Sequence, residues 1–442
     1  MNPKKHLSFG SLSDFMSRHL NEYPDWRHAN KTMYSVSDGV MSAFACMYFQ
    51  SPSLLQFQQE LERREKDNNV RTLFGVSAIP ETTQIRDITD NVNSEYFRSI
   101  FKEFLLRLQR GKHLEQYQFI DGKYLCDIDG TQFFSSSKIH CSKCLTTKHR
   151  DGSITYSHKV LQAAIVHPNV RQVIPLAPEQ IVNADGNAKQ DCEINASKRW
   201  LIKMKKDHPR LPLIINADGL TSKQPFIEAV KRVGYSYILV AKPADHKYLM
   251  DWVDAFDVIP TKRVVDNKGR THEYQWESDV PLNGGENSER VNFFRHKITS
   301  TKANGDTKIH YKNSWVTNLD LNEENIELMV KGARSRWKIE NECFNTLKNQ
   351  GYQMEHNYGH GAKNLSFNLY LLILLAFYFH QVFELTDKLY QSCRQTHSSK
   401  RHMWERLRSY IDIIVFDSWE FLLNFAIAPA RYCQPLKNPR DG

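Results

Sequence analysis

The sequence predicts a mixed α/β protein in which a strand-rich centre is flanked by helical regions on both sides. Two long stretches, the first hundred residues and those after about 361, carry apolar residues at helical spacing. From residue 116 onward, short apolar runs of the kind that form strands follow one another and then alternate with helical segments. Residues 254 to 320 are again strand-like and rich in turn signals.

The composition is that of a globular protein with two to four domains. The chain has 442 residues, of which 40% are apolar and 25% charged. Its 59 basic and 50 acidic residues give a net charge of +9, which suits a polyanionic partner but is also common in proteins that have none. Eight cysteines without regular spacing, and no apolar segment behind Met1–His6, argue against secretion and for a reduced cytoplasmic setting without disulfides.

One run, Leu369–Phe379, is apolar enough to raise the question of a membrane span. A span needs about 20 apolar residues, and this run is bounded by Asn368 and by His380-Gln381. It is therefore predicted to be a buried core helix.

The N-terminal region is predicted to be helical. Ser11 and Ser37 are the expected N-caps of two early helices, and Pro80 suits the first turn of a later one. That later helix carries four polar residues on positions expected to be exposed, namely Thr82, Thr83, Gln84 and Arg86. It is either the DNA-reading helix of a helix-turn-helix or part of a helical packing domain with polar outer faces.

The strand-rich centre has the element order of a ribonuclease H-like mixed sheet. Three early strands are followed by helix, strand, helix and strand. These elements are expected at about 118–129, 156–167, 171–176, 191–206, 211–217, 224–233 and 237–241. The later strand-like residues are then a β-rich insertion that separates this sheet from the helix carrying Glu340.

Three carboxylates stand where such a fold places ligands. Asp129 and Asp218 each end an apolar strand and precede a glycine, and Glu340 shares a helix face with Arg336 four residues earlier. This helix is expected to be amphipathic, with one buried stripe of apolar residues, namely Trp337, Ile339, Cys343, Phe344 and Leu347. A single Asp-Gly is usually a solvated turn, so the prediction of a ligand site depends on all three carboxylates occurring in this order. Carboxylate oxygens suit Mg²⁺ or Mn²⁺, and two such ions ~4 Å apart can drive an in-line displacement at phosphorus.

The motifs Ile128-Asp129-Gly130-Thr131, Asn216-Ala217-Asp218-Gly219 and Arg336-Trp337-Lys338-Ile339-Glu340 resemble the three acidic motifs of the DDE transposases of bacterial insertion sequences. The resemblance covers about residues 118–360 and points to the branch with a β-rich insertion before the glutamate. It implies a ribonuclease H-like core, catalytic metal ligands at the three acidic positions, and double-stranded DNA as the partner, namely the terminal inverted repeats and the target.

The activity that this resemblance implies is cut-and-paste transposition by a homodimer on DNA, through metal-dependent phosphodiester cleavage and strand transfer. Two alternatives remain open at this point. One is a DNA-binding protein derived from a transposase that no longer cuts. The other is a ribonuclease H-like nuclease with a different substrate.

The chain departs from the family pattern around its third motif. Arg336 matches the family arginine, but Ala333 stands where the branch has a tyrosine. The family lysine position is Leu347, so the following Lys348 is the expected phosphate contact. Glu342 is a rival metal ligand, although its two-residue offset from Glu340 puts it on another helix face.

A CxxC, Cys141 to Cys144, lies between the first two acidic motifs. It is either a loop with free thiols or half of a structural zinc site, whose other ligands would come from residues such as His149 or Cys192. Nearby Lys143 and Lys148 are candidate contacts to the DNA backbone, with a solvated loop as the alternative.

Trp315 is a further candidate DNA contact. In relatives of this branch an insertion-domain tryptophan stacks on a flipped base, and Trp276 or Trp315 is placed to do so, whereas a strand tryptophan is usually part of the core.

The sequence divides into five regions, namely a helical DNA-binding domain (1–115), the first part of the core (116–250), the insertion (251–325), the core helix with Glu340 (326–360) and a C-terminal helical region (361–442).

Overall fold

The structure, a computed structural model, describes residues 6–28, 32–62, 68–182, 191–301 and 306–432. Helices dominate both ends of the chain. In chain order they are α1 (Phe9–Asn21), α2 (Val36–Tyr48), α3 (Leu54–Glu62), α4 (Asn69–Phe74), α5 (Thr82–Asn91), α6 (Arg98–Arg110), α7 (Glu193–Asp207), α8 (Gln224–Arg232), α9 (Lys247–Asp254), α10 (Ile326–Arg334), α11 (Asn345–Asn349), α12 (Leu365–Thr386), α13 (Lys388–Gln395), α14 (Lys400–Ile411) and α15 (Trp419–Ile427).

The strands occupy the centre of the chain, as the apolar runs predict. They are β1 (Gln118–Ile120), β2 (Lys123–Ser136), β3 (Leu145–Lys148), β4 (Ile154–His167), β5 (Val170–Pro175), β6 (Glu179–Ile181), β7 (Leu213–Ala217), β8 (Ser236–Val240), β9 (Thr261–Val265), β10 (Thr271–Pro281), β11 (Arg290–Thr301) and β12 (Thr307–Thr317). The mixed α/β class is confirmed.

The described strands form one mixed sheet. Along its main path the order is β3-β4-β2-β7-β8-β12-β11-β10-β9, and β5 pairs with β4 off that path. β2 runs antiparallel to β4 and parallel to β7, and β7 runs parallel to β8. The residues predicted to form the β-rich insertion continue this sheet, because β12 pairs directly with β8.

The early helices begin earlier than the serines suggested. Ser8 Oγ accepts a hydrogen bond from Ser11 N, 3.3 Å away, so Ser11 lies inside α1. Ser35 caps α2 in a capping box with Asp38, and Ser37 is a buried residue of the first turn. Both predicted caps are wrong because another serine, two or three residues upstream, already satisfies the first-turn amides.

Helices from the two ends of the chain share one core. The ring of Phe9 stacks on Trp419 with centroids 5.2 Å apart, and Phe44 meets Phe379 at 5.1 Å. One of these helices, α12, is long and apolar enough to cross a membrane by length and composition. However, 83% of its most apolar stretch is buried inside the fold. The prediction of a buried core helix at Leu369–Phe379 is confirmed.

The segment that carries Glu340 differs from the single amphipathic α-helix expected. It is π-helical from Ile339 to Phe344 and continues directly into α11. Four of its apolar residues form the predicted buried stripe, namely Ile339, Cys343, Phe344 and Leu347. Trp337 does not belong to that stripe, since it is 45% exposed. A π-helical turn widens the helix and often occurs at functional sites.

Candidate active site

The two aspartates lie on neighbouring strands. Strands β2 and β7 are parallel, and their register sets Asp127 opposite Asn216. Two residues further along each chain, Asp129 and Asp218 therefore lie at the same edge, about one strand spacing of 4.8 Å apart in backbone position. Asp218 follows β7 directly, and its Oδ1 accepts a hydrogen bond from Leu220 N at 3.0 Å, which shapes the turn.

Arg336 connects the first and third carboxylates. Its Nη1 lies 3.6 Å from Asp129 Oδ2, and its Nη2 lies 2.6 Å from Glu340 Oε1. The shared face of Arg336 and Glu340 that the four-residue spacing predicts is thus present. Both carboxylates therefore face a common region beside the end of β7.

A fourth carboxylate, Glu193, joins this region from the first turn of α7. It lies directly over Gly130, where a Cβ atom would come within 2.2 Å of Glu193 Oε1. The negative charge of Asp218 contributes to raising the pKa of Glu193, after burial, which is the larger cause. Sequence reasoning missed Glu193 because an acid in a first helical turn is common and carries no signal of its own.

The carboxylates repel one another. Burial raises the pKa of Asp129 to about 6, the Arg336 charge opposes this, and the charges of Glu340 and Glu193 add to the rise. A divalent cation would relieve that repulsion, and the oxygen-only donor set suits Mg²⁺ or Mn²⁺. In the described ranges, however, no three carboxylates have oxygens all within 4.8 Å of one another, so the acids surround a region without forming a closed coordination sphere.

Behind the site, a buried pair ties β2 to β7. Asn216 Nδ2 donates to Asp127 Oδ1 at 2.9 Å and to Gly332 O at 3.2 Å. Burial raises the pKa of Asp127 well above its ordinary value, even though the Asn216 hydrogen bond and the Arg336 charge oppose it. The pair also anchors α10, and so fixes the approach of the segment that carries Glu340.

The other residues near the third motif point away from the acids or are paired. Glu342 faces Arg171, with 3.8 Å between Oε2 and Nε, which leaves Glu340 as the glutamate on the side of Asp129. Leu347 is fully buried. Lys348 pairs with Glu355 at 2.8 Å, so its contact with a phosphate requires that this ion pair open.

The predicted DNA-reading helix is less exposed than expected. α5 packs against α2 and α12, and this packing buries Thr82 to 8% exposure. Arg86 is half-buried, and its Nε donates to Tyr358 O at 2.9 Å. The expectation that all four polar residues are exposed is therefore corrected, since only Thr83 and Gln84 are fully on the surface.

The remaining predicted DNA contacts fall into two environments. Trp315 is 1% exposed and stacks on Phe294 with ring centroids 5.2 Å apart, because its side chain faces the core side of β12. This corrects the expectation that it meets a base and agrees with the core alternative. Lys143 Nζ donates to Lys363 O and Asn364 Oδ1, both at 2.9 Å, whereas Lys148 is exposed at the end of β3.

The CxxC has two partners that the sequence did not indicate. His149 Nε2 is 2.7 Å from Thr155 Oγ1, and Cys192 is exposed at the start of α7, so neither joins the cysteines. Instead, His158 and His360 bring their ring nitrogens to the sulfur atoms. Each lies far from the CxxC or on another strand, which is why spacing rules did not find them.

The chain was compared with known protein families and with curated proteins. No family model matches the chain, and no curated protein matches it.

Proposed function

We propose that this chain is a DDE-type DNA transposase, an enzyme that binds the terminal inverted repeats of its element and carries out metal-dependent cleavage and strand transfer. The observation that carries the proposal is the arrangement of Asp129, Arg336 and Glu340. Asp129 on β2 and Glu340 from a segment far along the chain meet at one guanidinium, beside Asp218 at the end of the neighbouring strand β7.

The sheet supports a ribonuclease H-like core. In such a core the strands that carry the two aspartates are neighbours, and a later helix brings the third carboxylate across. Here β2 and β7 are hydrogen-bonded neighbours, β4 pairs with the other side of β2, and β5 pairs with β4. The π-helical segment packs against β2 and supplies Glu340.

The residues of the site divide the work of phosphodiester chemistry. Asp129, Asp218 and Glu340 would hold the divalent ions, and such ions when bound activate the attacking oxygen and stabilise the leaving one. Arg336 orients the Glu340 carboxylate and offsets the repulsion between the acids. Glu193 is close enough to Asp129 and Asp218 for its charge to reinforce cation binding.

The proposed partner is double-stranded DNA, bound by two copies of the chain in the bacterial cytoplasm. The positive net charge of +9 favours a polyanion. Gln84 on α5 and Lys148 at the end of β3 are exposed and available for it. Strand transfer needs both ends of the element together, which is the reason for two protomers.

The test uses the purified full chain, Mg²⁺ or Mn²⁺, and labelled DNA from both flanks of its gene. The variants Asp129→Asn, Asp218→Asn and Glu340→Gln are expected to bind this DNA and to cut it no faster than background. The matched control is Glu342→Gln, which changes the same segment on its other face and should cut at the wild-type rate.

Three results discriminate between the candidate functions. Cleavage that survives Glu340→Gln would overturn the site assignment. Specific binding of the flanking DNA without any metal-dependent cleavage by the wild-type chain would favour a transposase-derived DNA-binding protein. Cleavage of unrelated DNA or of RNA–DNA hybrids without preference for the flanks would favour a nuclease of another kind.

A further inference from the structure

Four sulfur and nitrogen ligands converge at a point outside the acidic site. Cys141 and Cys144 lie in the turn between β2 and β3, His158 lies on β4, and His360 lies in the segment that leads into α12. One ligand atom from each lies within 4.8 Å of the other three. Among the described residues this is the single group of three or more such side chains with that property.

The distances between these atoms are those of the edges of a tetrahedron around zinc. Zn–S bonds of about 2.3 Å and Zn–N bonds of about 2.05 Å give edges of about 3.8 Å between two sulfurs, about 3.6 Å between sulfur and nitrogen, and about 3.3 Å between two nitrogens. Cys141 Sγ and Cys144 Sγ are 3.9 Å apart. Three sulfur-to-nitrogen distances are 3.4, 3.5 and 3.6 Å, and the two Nε2 atoms are 3.1 Å apart.

The imidazole of His360 is held in the orientation that a metal ligand needs. Its Nδ1 lies 3.0 Å from Gly361 O, so Nδ1 carries the proton and donates it to that carbonyl. The lone pair of a neutral His360 is then on Nε2, which faces the sulfur atoms. This second hydrogen bond is the usual companion of a metal-bound histidine.

The surroundings favour a closed site. Phe134 packs its ring 4.6 Å from that of His360, and the Phe133 ring stacks on His158 at 5.8 Å, so aromatic rings shield the group on that side. Four protein ligands leave no open position for water or substrate, which is the pattern of a structural site. Two thiolates and two imidazoles select zinc over the hard cations that suit carboxylates.

We propose that Cys141, Cys144, His158 and His360 bind one Zn²⁺ whose role is to fasten the turn between β2 and β3 to the segment that precedes α12. Lys143 reinforces the same junction through its bonds to Lys363 and Asn364.

The proposed zinc site is separate from the acidic one but borders it. On β4, His158 is four residues from Gln162, which pairs with Asp129, and four residues of strand span about 13 Å. The ion would therefore fix β3, with the exposed Lys148 at its end, at a set distance from the carboxylates. This assignment does not depend on the proposed function, since it concerns folding of the chain in the absence of DNA.

Metal analysis of the full chain, expressed with zinc and purified without chelator, is the direct test. We expect about one zinc per chain in the wild type and a large loss in Cys144→Ser and His360→Gln. The matched controls are Cys192→Ser, an exposed cysteine outside the group, and His149→Gln, a histidine directly after β3. Both controls should retain the full zinc content.

Cobalt substitution tests the geometry without any variant, and so does not depend on how well the variants fold. Co²⁺ added to the metal-free wild type should give intense visible absorption typical of a tetrahedral site, together with a sulfur-to-cobalt charge-transfer band. Zinc should displace it. Octahedral, weakly absorbing cobalt, or a zinc content near zero in the wild type, would overturn the proposal.

A disulfide is the main competing state of the two cysteines. Mass analysis under non-reducing conditions would then show Cys141 linked to Cys144 in freshly purified protein, with no bound metal. That result also overturns the proposal. Zinc content that is unchanged in both Cys144→Ser and His360→Gln would do the same.

Discussion

Replacing Asp90 with asparagine removes the charge that holds the start of α12. The carboxylate of Asp90 reaches from α5 to four consecutive backbone N–H groups of residues 362–365. Its Oδ1 accepts from Asn364 N at 2.8 Å and Leu365 N at 2.7 Å, and its Oδ2 accepts from Ala362 N at 3.0 Å. The segment that contains His360 ends at this carboxylate, so the substitution loosens it locally.

The size of the effect follows from the bonds lost. Removal of a helix cap costs about 1 kcal/mol and up to about 2, and a hydrogen bond to a charged group contributes about 1.5–3 kcal/mol. Asparagine keeps one acceptor oxygen and loses the charge and the second acceptor. Since Asp90 is partly exposed, we expect about 2–3 kcal/mol, which corresponds to about 30- to 150-fold faster amide exchange.

Hydrogen exchange followed by mass spectrometry on peptides that span residues 360–366 measures this directly. A local readout is preferable to a global one because a chain of this size need not unfold in two states. The control is Asp87→Asn on the exposed face of the same helix, which should leave the exchange of those peptides unchanged. An amide-exchange rate at 360–366 in Asp90→Asn within about threefold of the wild-type rate would refute the reasoning. A threefold change corresponds to about 0.7 kcal/mol, which is less than a charged cap contributes.

The pH dependence provides a second check on the same residue. Burial acts to raise the pKa of Asp90, but the four backbone N–H groups outweigh it and hold the pKa below its ordinary value. A lowered carboxyl pKa means that the stabilisation is complete above about pH 4 and is lost as pH falls through the folded-state pKa. The difference between wild type and Asp90→Asn should therefore shrink as pH falls below about 4, and a difference as large at pH 2.5 as at pH 6 would contradict this account.

Three further predictions concern separate parts of the molecule. Gly332→Ala puts a Cβ 2.3 Å from the Phe119 ring, and we expect it to lower the free energy of unfolding by about 1–3 kcal/mol. The control is Gly10→Ala, whose Cβ meets no atom within 4 Å and which should be neutral or stabilising. Equal stability of the two variants would refute the clash. Gly130→Ala displaces Glu193, and we expect weaker Mn²⁺ binding by calorimetry with little change in Tm; an unchanged Kd would show that Glu193 does not assist the cation. Burial lowers the pKa of His296 to about 3, with Arg334 and His272 adding to the effect, so its neutral form is the native one. Stability should then be complete above about pH 6.5 and fall as pH drops toward 3, by about 4 kcal/mol at most, and His296→Phe should flatten that dependence in thermal melts.

Much of the central sheet follows from local sequence. The apolar runs that end in Asp129 and Asp218 are β2 and β7, and the four-residue spacing of Arg336 and Glu340 produces their ion pair. These features depend on periodicity over a few residues, which the sequence displays directly. The class of the fold and the location of the candidate acids could be predicted for that reason.

Features that depend on contacts between distant segments could not be predicted in the same way. His360 meets Cys144 only because α12 packs back across the sheet, and Glu193 reaches Gly130 only because α7 begins above β2. The exposure of Trp337 and the π-helical turn after it reflect how that segment packs, which local spacing does not encode. The burial of Thr82 has the same origin in the packing of α5.

The core shared by the two ends of the chain also has a consequence for synthesis. During translation, α1 and α2 leave the ribosome long before α12 and α15 are synthesised. Phe9 is then exposed without its partner Trp419, and Phe44 without its partner Phe379. Closure of this core involves contacts across most of the chain length, which slows folding. The helical body is therefore completed only after the C-terminal helices emerge. A message truncated before α12 would yield an N-terminal fragment with exposed aromatic surface. Such a fragment would be bound by chaperones and cleaved by proteases, and would not fold as an independent module.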